Sequence, residues 1–485
     1  PVRRIVPGRP WGPSGILGAN DFHSRQGDRQ MKPGQVKTAA DAKKIIAERK
    51  CDYVKVGVVD MDGIMRGKYM KADKFISSLD KGFGFCDVVL GWDSKDQLYD
   101  NVSVTGWHTG YPDAPVRIIP ESCREIAWED DMLFFLGEFD GKYEEVCPRA
   151  VLRRTLEKAE KMGFKVLAGL EYEFFMFEET PETVREKNYR DLKPIQPGFF
   201  GYSMLRSTVD SDLYRDILDG CVKMDMALEG LHEETGPGVL EAAIQVDGAL
   251  SAADKAVLFK TFAKIMAQKR GLMATFMARW SPDWPGQSGH IHMSLTNKAG
   301  KPIFLDKKKP HGMSDTMRHF VGGQQKLLPE FLAMIAGTVN SYTRLVPGFW
   351  APTDSTWGVD NRTCAIRIIP GSEKSQRVEF RIAAADANPY LALAAGIGAG
   401  LWGIENKIEP GPAVEGNAYD KTFPKRLNLP RTLMDAAGML KTSKPARGLF
   451  GDAFVDHYAA TREWEERQFR RAITDWEMER YFEII

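Results

Sequence analysis

The chain has 485 residues, of which 43% are hydrophobic and 27% are charged. This length predicts roughly two to four domains with a substantial buried core, and it excludes a small scaffold held together by disulfides. The 66 Lys and Arg residues balance the 66 Asp and Glu residues, so we expect neither nucleic acid nor a membrane surface as a partner.

Residues 1–37 are rich in Pro and Gly and lack the continuous apolar stretch of a secretion signal. They predict an arm that is either flexible or docked on another subunit. The six cysteines are scattered without a C-x-x-C pair, which favours a reducing compartment and therefore the cytoplasm. The longest run of small and apolar residues, 390–404, is shorter than the roughly 18 to 20 residues of a membrane span. It predicts a tightly packed helix of a soluble protein.

Residues 38–141 predict a small α+β domain. Its predicted elements include a helix over 38–49, a strand over 51–60 and an apolar strand over 132–139. A helix is predicted to start at Pro148, because proline suits the first helical position, and to end at Gly163. Residues 146–485 contain no recognisable linker and predict one large catalytic domain. Its predicted elements include long helices over 252–270 and 324–338.

The first run with chemical content is a predicted strand over 166–177. Successive residues of a strand point to opposite faces, so Glu171 and Glu173 project together while their neighbours are apolar. Two carboxylates on a largely apolar strand are costly unless a cation holds them, and hard divalent cations prefer such oxygen ligands. For this run alone, a strand face exposed to solvent is the ordinary alternative.

Three further segments carry ionisable residues at related spacings. They are Glu233 and Glu241 on either side of a Gly-Pro-Gly turn, His290 and His292 two residues apart, and Arg377, Glu379 and Arg381 at alternate positions. Each segment alone is explained by a polar histidine or a solvated strand. Together they predict a sheet whose inner face is ionic, which is typical of a site for metal ions and anions.

The order of these and further motifs resembles the signature of the glutamine synthetase family, over nearly all of the chain from residue 38 onward. The motifs are EYE at 171–173, HE and E over 232–241, SGHIH at 288–292, NSYTRLVPG at 340–348, NRTCAIR at 361–367, KSQRVEFR at 374–381 and DANPYLALA at 386–394. The resemblance implies an α+β fold, with a small β-grasp domain over 38–141 and a catalytic domain over 146–485 in which helices flank a curved antiparallel sheet. It also implies a homo-oligomer of stacked rings, expected to be a dodecamer, with active sites between subunits.

The resemblance further implies a ligase that transfers a phosphoryl group from ATP to the γ-carboxylate of glutamate and then joins the γ-glutamyl phosphate to an amine. Two or three Mg²⁺ or Mn²⁺ ions are implied, one held by Glu173, Glu233 and Glu241 and another by Glu171, His290 and Glu379. The implied ATP contacts are His292, Lys374 and Arg377, the implied catalytic residues are Arg344, Arg362 and Arg367, and the implied substrate contacts are Gly286, Arg344, Arg367 and Arg381. Because this reaction brings anions together, metals and arginines must neutralise the charge of the transition state.

One position departs from the family pattern. The family's flap reads like RLVPGYEAP, and its glutamate closes the site and takes a proton from ammonium, whereas this chain reads RLVPGFWAP with Trp350 at that place. Ammonium must lose a proton before it attacks, and a tryptophan cannot accept that proton. A tryptophan can instead stack on an aromatic amine, which is already neutral at physiological pH. We therefore expect Trp350 to contact an aromatic acceptor such as aniline, as in a γ-glutamylanilide synthase of aromatic amine degradation.

Several alternatives stay open. Trp350 could cover the site while another carboxylate serves as the base, and the acceptor could be ammonia or an aliphatic amine such as isopropylamine, ethanolamine or a polyamine. A non-enzymatic relative should have lost metal ligands, whereas all six implied positions are filled here. We expect His232 to act behind the metal ligands. Trp280 and Trp284 are expected to be packing residues, with a place near the glutamate pocket as the alternative.

Overall fold

A five-stranded mixed sheet forms the N-terminal part of the protein, in a computed structural model that describes residues 31–485. Its strands lie in the order β2–β1–β5–β4–β3, with β1 parallel to β5 and the other neighbours antiparallel. The bounds are α1 (Ala39–Arg49), β1 (Tyr53–Val59), β2 (Met65–Lys71), α2 (Ala72–Lys81), β3 (Phe83–Cys86), β4 (Asp113–Ile126) and β5 (Glu129–Phe139). Both helices pack on this sheet through a core that includes Ile45, Phe75 and Phe135. The β-grasp assignment and the domain boundaries stay predictions.

Most of the arm predicted over 1–37 lies outside the described residues. Of its last part, Val36 is buried and Met31 packs against the core of the N-terminal sheet. The Met31 amide also donates to Glu48 Oε2 at 2.8 Å. Residues 31–37 therefore belong to the N-terminal unit.

A second sheet of nine strands carries the site. Seven strands lie in the order β12–β13–β14–β11–β6–β8–β7, and β9 and β10 also pair with β6. All neighbours are antiparallel except β12 and β13, which are parallel. The bounds are β6 (Phe164–Phe177), β7 (Leu228–Glu233), β8 (Val239–Ile244), β9 (Asp247–Gly248), β10 (Met273–Thr275), β11 (Gly289–Asn297), β12 (Trp357–Val359), β13 (Ile366–Ile369) and β14 (Arg377–Phe380).

Helices cover one face of this sheet. Their bounds are α3 (Pro148–Lys161), α4 (Pro181–Glu186), α5 (Met204–Val209), α6 (Ser211–Lys223), α7 (Ala249–Lys269), α8 (Asp315–Phe331), α9 (Ser341–Arg344), α10 (Pro389–Glu405), α11 (Leu433–Thr442), α12 (Lys444–Phe450), α13 (Asp452–Phe469) and α14 (Asp475–Tyr481). The apolar side chains of β6, among them Tyr172 and Phe174, are buried against Phe259 of α7. The opposite face of β6 is left for polar groups.

The small-residue run predicted to be a packed helix is α10, which is buried along most of its length. Its contact with α8 is close because Gly323 and Gly403 face each other, and a Cβ at Gly323 would lie 2.5 Å from the Gly403 Cα. Asn388 caps the helix by accepting from the Tyr390 amide at 3.1 Å. Within residues 31–485, no helix combines the length and the hydropathy that crossing a bilayer requires.

The helix predicted over 324–338 is shifted in the structure. α8 begins at Asp315, because the Ser314 side chain accepts from the Met317 amide and caps the helix there. It ends at Phe331, shortly after Pro329, and a tighter turn over Leu332–Met334 follows. Proline lacks an amide hydrogen, which favours a helix end near this position.

The N-terminal unit is docked on the C-terminal helices by buried polar contacts. Arg462 of α13 pairs with Asp62 Oδ1 at 2.6 Å. The side-chain nitrogen Nδ2 of Asn388 donates to the carbonyl oxygens of Asp60 and Met61 at 3.3 and 3.2 Å. His457 Nε2 lies 2.9 Å from the Leu90 carbonyl oxygen. These contacts hold the two sheets in one fixed arrangement.

Candidate active site

Strand register brings the predicted acidic and histidine residues to one face of the large sheet. Residues directly opposite each other on antiparallel strands project from the same face. Glu173 lies opposite Glu241, Glu171 opposite His290, and Glu379 lies between His292 and Arg367 on its two neighbouring strands. Five strands therefore contribute to one polar surface.

Three sets of side chains on this surface have the spacing of metal ligands. Within each set, the candidate ligand atoms lie within 4.8 Å of one another. The sets are Glu171 with His292 and Glu379, Glu171 with Glu241 and His290, and His232 with Glu234 and Glu241. Carboxylate oxygens and an imidazole nitrogen at this spacing fit a hard divalent cation.

The ionisation of these groups also fits bound cations. Burial raises the pKa of Glu241 to about 8, and the negative charges of Glu173 and Glu171 add to the rise. Burial also opposes ionisation of Glu379, but the charges of His290 and Arg381 outweigh it and lower its pKa to about 2. His290 Nε2 is buried without a hydrogen-bond partner. The cluster thus holds crowded negative charge and an unused nitrogen, and metal ions would satisfy both.

The predicted ligand Glu233 does not join this cluster. The register pairs His232 with Glu241 and Glu233 with Leu240, whose side chain belongs to the apolar core. Adjacent residues of a strand face opposite sides, so Glu233 points away from the cavity. His232 and Glu234 take its place, with His232 Nε2 3.5 Å from Glu241 Oε2 and 3.6 Å from Glu234 Oε1. Burial lowers the His232 pKa, but these two carboxylates outweigh burial and raise it to about 9.

Arginines border the acidic cluster on the side of β13 and β14. Arg367 Nη1 donates to Glu379 Oε2 at 2.8 Å, and Arg381 Nη1 donates to Glu379 Oε1 at 2.5 Å. Arg344 is buried and donates to the carbonyl oxygens of Ile382 and Arg381 at 3.2 and 3.3 Å. Burial lowers the pKa of Arg344 to about 10, so the group is still a cation at neutral pH. This border can bind carboxylate and phosphoryl oxygens.

Arg344 lies tightly under the backbone at Gly286. A Cβ on Gly286 would lie 2.6 Å from the Arg344 Cγ, so a larger residue here would displace the arginine. Arg377 is the first residue of β14, and its Nε donates to His292 Nδ1 at 3.1 Å. Lys374 is exposed in the loop between β13 and β14.

These groups surround a cavity of about 690 Å³, which we call the catalytic cavity. All predicted site residues except Glu233 and Lys374 line it. It also has walls that sequence reasoning did not identify, formed by Phe175, Tyr202, Glu234, Thr235, Ser288 and Phe349. The Tyr202 ring stacks on His232 with ring centres 4.5 Å apart. Trp280 and Trp284 instead pack against Phe175 and Phe177, as the packing interpretation expected.

Residues 145–481 match the family model described as the catalytic domain of glutamine synthetase. The chain belongs to the glutamine synthetase family. Its α+β architecture is the glutamine synthetase fold, and the protein is an ATP-dependent carbon–nitrogen ligase. Enzymes of this family use ATP and divalent metals, act on small molecules and are commonly oligomeric.

Named relatives cover most of the chain. The type-1 glutamine synthetase 2 of Dictyostelium discoideum is 46% identical over 443 residues, which are 90% of this chain and 84% of that protein. The glutamate–isopropylamine ligase of a Pseudomonas species is 37% identical, covering 91% of this chain and 97% of that protein. The γ-glutamylethanolamide synthetase GlnA4 of Streptomyces coelicolor is 36% identical, covering 90% of this chain and 94% of that protein.

A solved structure has the same fold. GmaS without ligand matches with a TM-score of 0.79 at 25% identity, covering 91% of this chain and 99% of that chain. A complex of GmaS with ADP matches equally well.

The loop that follows α9 brings Trp350 to the rim of the catalytic cavity of this glutamine synthetase family member. Trp350 has a left-handed backbone conformation, with φ at +57°, and its side chain is 58% exposed. The Arg279 guanidinium stacks on the neighbouring Phe349 ring at 4.7 Å from its centre. The residue that departs from the family pattern is therefore held at the cavity mouth with its indole open to a ligand.

Proposed function

We propose that the protein joins the γ-carboxylate of L-glutamate to an aromatic amine such as aniline, with γ-glutamyl phosphate as the intermediate. In the first step a γ-carboxylate oxygen attacks the γ-phosphorus of ATP and ADP leaves. In the second step the amine nitrogen attacks the acyl carbon, phosphate leaves and the nitrogen loses a proton. The product is a γ-glutamyl amide.

Two or three Mg²⁺ or Mn²⁺ ions would offset the repulsion between ATP and the carboxylate in the first step. We assign one position to Glu173, Glu234 and Glu241 with His232, and another to Glu171, His290 and Glu379. His232, Glu234 and Glu241 have the spacing of metal ligands, and Glu173 lies opposite Glu241 on the neighbouring strand. His290 Nδ1 lies 3.6 Å from Glu171 Oε2 and 3.5 Å from Glu379 Oε1, which supports the second position. Arg377 and His292 are proposed to meet the phosphates of ATP.

Glutamate would bind at the end of β14 that is opposite to Arg377 and the ATP phosphates. We assign Arg344 and Arg381 to its carboxylates, and Arg362 and Arg367 to the transferred phosphoryl group and the acyl phosphate. The buried guanidinium of Arg344 supports this assignment, because a fixed cation in a dry site attracts an anion strongly. Gly286 leaves the space that this arrangement needs.

The exposed indole of Trp350 at the mouth of the catalytic cavity is the main observation in support of an aromatic acceptor. The loop 345–352 has the sequence LVPGFWAP, which contains no carboxylate that could take a proton from ammonium. An arylamine reaches the site already neutral and can stack on the indole. Both properties favour an aromatic acceptor.

An aliphatic acceptor is the second candidate, because two relatives are named for isopropylamine and ethanolamide chemistry. Glutamine synthesis from ammonia is the third, because another relative is named a glutamine synthetase. For either candidate, a carboxylate outside the assigned metal ligands would have to take the proton that Trp350 cannot.

Acceptor competition tests the proposal. Purified protein is supplied with ATP, Mg²⁺ and glutamate, plus aniline, isopropylamine, ethanolamine or ammonium, and phosphate release is measured together with the mass of the product. We expect the highest kcat/KM with aniline. A kcat/KM for ammonium at or above those of the organic amines would overturn the choice of acceptor. Lack of turnover with every amine would overturn the ligase proposal.

Substitution of Trp350 sharpens this test. Trp350→Phe keeps an aromatic face and should retain aniline as the preferred acceptor. Trp350→Glu supplies a carboxylate and should shift the preference toward ammonium by about tenfold or more. If both variants keep the wild-type acceptor ratio, Trp350 does not select the amine.

We also propose a dodecamer of stacked rings in the cytoplasm, with active sites between subunits. Exposed apolar residues near the C-terminus support an oligomer, and they include Ile473, Trp476, Phe482, Ile484 and Ile485. All six cysteines are free, which supports a reducing compartment. Size-exclusion chromatography followed by light scattering should give the mass of twelve chains.

A further inference from the structure

A second cavity of about 890 Å³ adjoins the catalytic cavity. Its walls come from the loop that carries Trp350, from residues 359–363 at the end of β12 and just after it, from residues 413–419 and from His311. Trp350 and Arg362 line both cavities. The two spaces therefore meet at these two side chains.

The second cavity lies at the glutamate end of the proposed site. Arg381 Nε donates to the Arg362 carbonyl oxygen at 3.0 Å, and Arg344 donates to the Arg381 carbonyl oxygen. Arg377, which is assigned to ATP, stands at the opposite end of β14. A molecule in the second cavity would thus lie beside the proposed glutamate site and Arg362, at the end of β14 that is distant from Arg377.

The walls of this cavity are fixed by hydrogen bonds. Asn361 Nδ2 donates to the carbonyl oxygens of Val414 and Gly416 at 3.0 and 2.8 Å, and it joins the turn after β12 to the 413–419 segment. The Thr363 hydroxyl donates to Asn361 Oδ1 at 2.7 Å and holds the amide in that orientation. The cavity is therefore a built feature of the fold.

The walls of the second cavity combine apolar faces with charged and polar groups, among them Asp360, Arg362, Glu415 and His311. Two rings, Trp350 and Tyr419, and three aliphatic residues, Val359, Ala413 and Val414, contribute to them. The side-chain amides of Asn361 and Asn417 already hydrogen-bond within the protein. The two rings and the three aliphatic residues therefore form an apolar face on which an organic group can pack.

We propose that the second cavity binds the organic group of the acceptor amine, with the amine nitrogen directed past Trp350 and Arg362 toward the γ-carboxyl of glutamate. The ligand class is a primary amine with a bulky apolar or aromatic group. This inference rests on the proposed ligase function. The organic group of the amine would then occupy a chamber separate from the sites of ATP and glutamate.

Filling the chamber tests the inference. Ala413→Phe and Val359→Phe each place a ring into the cavity from a different segment, so the test survives if one variant fails to fold. The ratio of kcat/KM for aniline to that for hydroxylamine, a small acceptor, should fall about tenfold in each, through a higher KM for aniline. The matched control is Ala299→Phe, because Ala299 is exposed in the turn after β11 and lines neither cavity. It should leave the ratio unchanged.

Two kinetic outcomes would overturn the inference while the ligase function stands. One is an unchanged acceptor ratio in folded filling variants. The other is a higher KM for ATP without a change for aniline, which would give the chamber to the nucleotide.

Binding of aniline, followed by saturation-transfer NMR on the intact protein, keeps the inference testable if no amine is turned over. Aniline signals that are present with wild type and Ala299→Phe but lost with Ala413→Phe would support the chamber. Equal signals with all three proteins would overturn it.

Discussion

The Tyr419 hydroxyl donates a hydrogen bond to the carbonyl oxygen of Ala351 at 3.0 Å. This bond ties the segment that walls the second cavity to the loop that carries Trp350. Burial raises the pKa of Tyr419, so its hydroxyl keeps the donated proton at neutral pH. Ala351 is fully buried, whereas Trp350 beside it is exposed. The bond therefore anchors the loop directly next to its most accessible side chain.

Removal of this hydroxyl should loosen the loop. A neutral hydrogen bond contributes about 1 kcal/mol net, so Tyr419→Phe should raise the KM for the amine by about fivefold. Amide hydrogen exchange of the loop 345–352 should speed up in the same variant. The matched control is Tyr53→Phe, because Tyr53 is exposed in the N-terminal sheet. Unchanged exchange in Tyr419→Phe would show that the bond does not hold the loop.

The two adjacent carboxylates Glu233 and Glu234 should differ in their effect on metal binding. Glu234→Gln removes a candidate ligand atom, so the Kd for Mn²⁺ measured by titration calorimetry should rise about tenfold or more. Glu233→Gln should leave the Kd for Mn²⁺ nearly unchanged, because its side chain lies on the opposite face of β7. The reverse order would mean that β7 pairs in the other register when metal is bound.

This pair also shows where sequence reasoning reaches its limit. The two-residue period of β6, β11 and β14 correctly brought Glu171, His290 and Glu379 to one face, because each strand is paired without interruption. Strand β7 has an irregular register between Leu228 and Gly230. Such a register shift reverses which side chains face the cavity, and local spacing does not reveal it.

The loops around the catalytic cavity were beyond prediction for a different reason. Tyr419 and Ala351 are 68 residues apart, so their hydrogen bond follows from tertiary packing. The exposure of Lys374 likewise depends on how the loop before β14 leaves the sheet. The place of Trp350 at the catalytic cavity could be predicted from its position in a motif, but the second cavity beside it could not.

The contact between Arg462 and Asp62 should dominate the docking of the N-terminal unit. Both side chains are largely buried. Arg462→Met would leave Asp62 as a buried charge without its partner, so the free energy of unfolding should fall by about 3 to 5 kcal/mol. Urea unfolding followed by fluorescence measures this change.

An exposed pair nearby provides the control. Arg467 and Asp100 form an ion pair in which both side chains are open to solvent. Arg467→Met should therefore cost less than about 1 kcal/mol. Equal losses from Arg462→Met and Arg467→Met would contradict the assigned role of the buried pair.

His457 should make the stability of the protein depend on pH. Burial lowers the pKa of His457 to about 4, and the charge of Arg462 adds to the effect. An unfolded histidine has a pKa near about 6.5, so the unfolded state binds the proton first as the pH falls. The contribution of His457 is therefore fully present above about pH 6.5 and is lost progressively between about pH 6.5 and 4, by about 3 kcal/mol in total.

The difference between wild type and His457→Gln isolates this contribution from the other groups that titrate in the same range. The free energy of unfolding, measured in urea at a series of pH values from 7.5 to 4, should fall more steeply for wild type than for His457→Gln. The control is His108→Gln, because His108 is exposed and contacts the carbonyl oxygen of Ser103 in a surface loop. This variant should follow the wild-type slope. Parallel curves for wild type and His457→Gln would mean that His457 gains a proton within the folded protein.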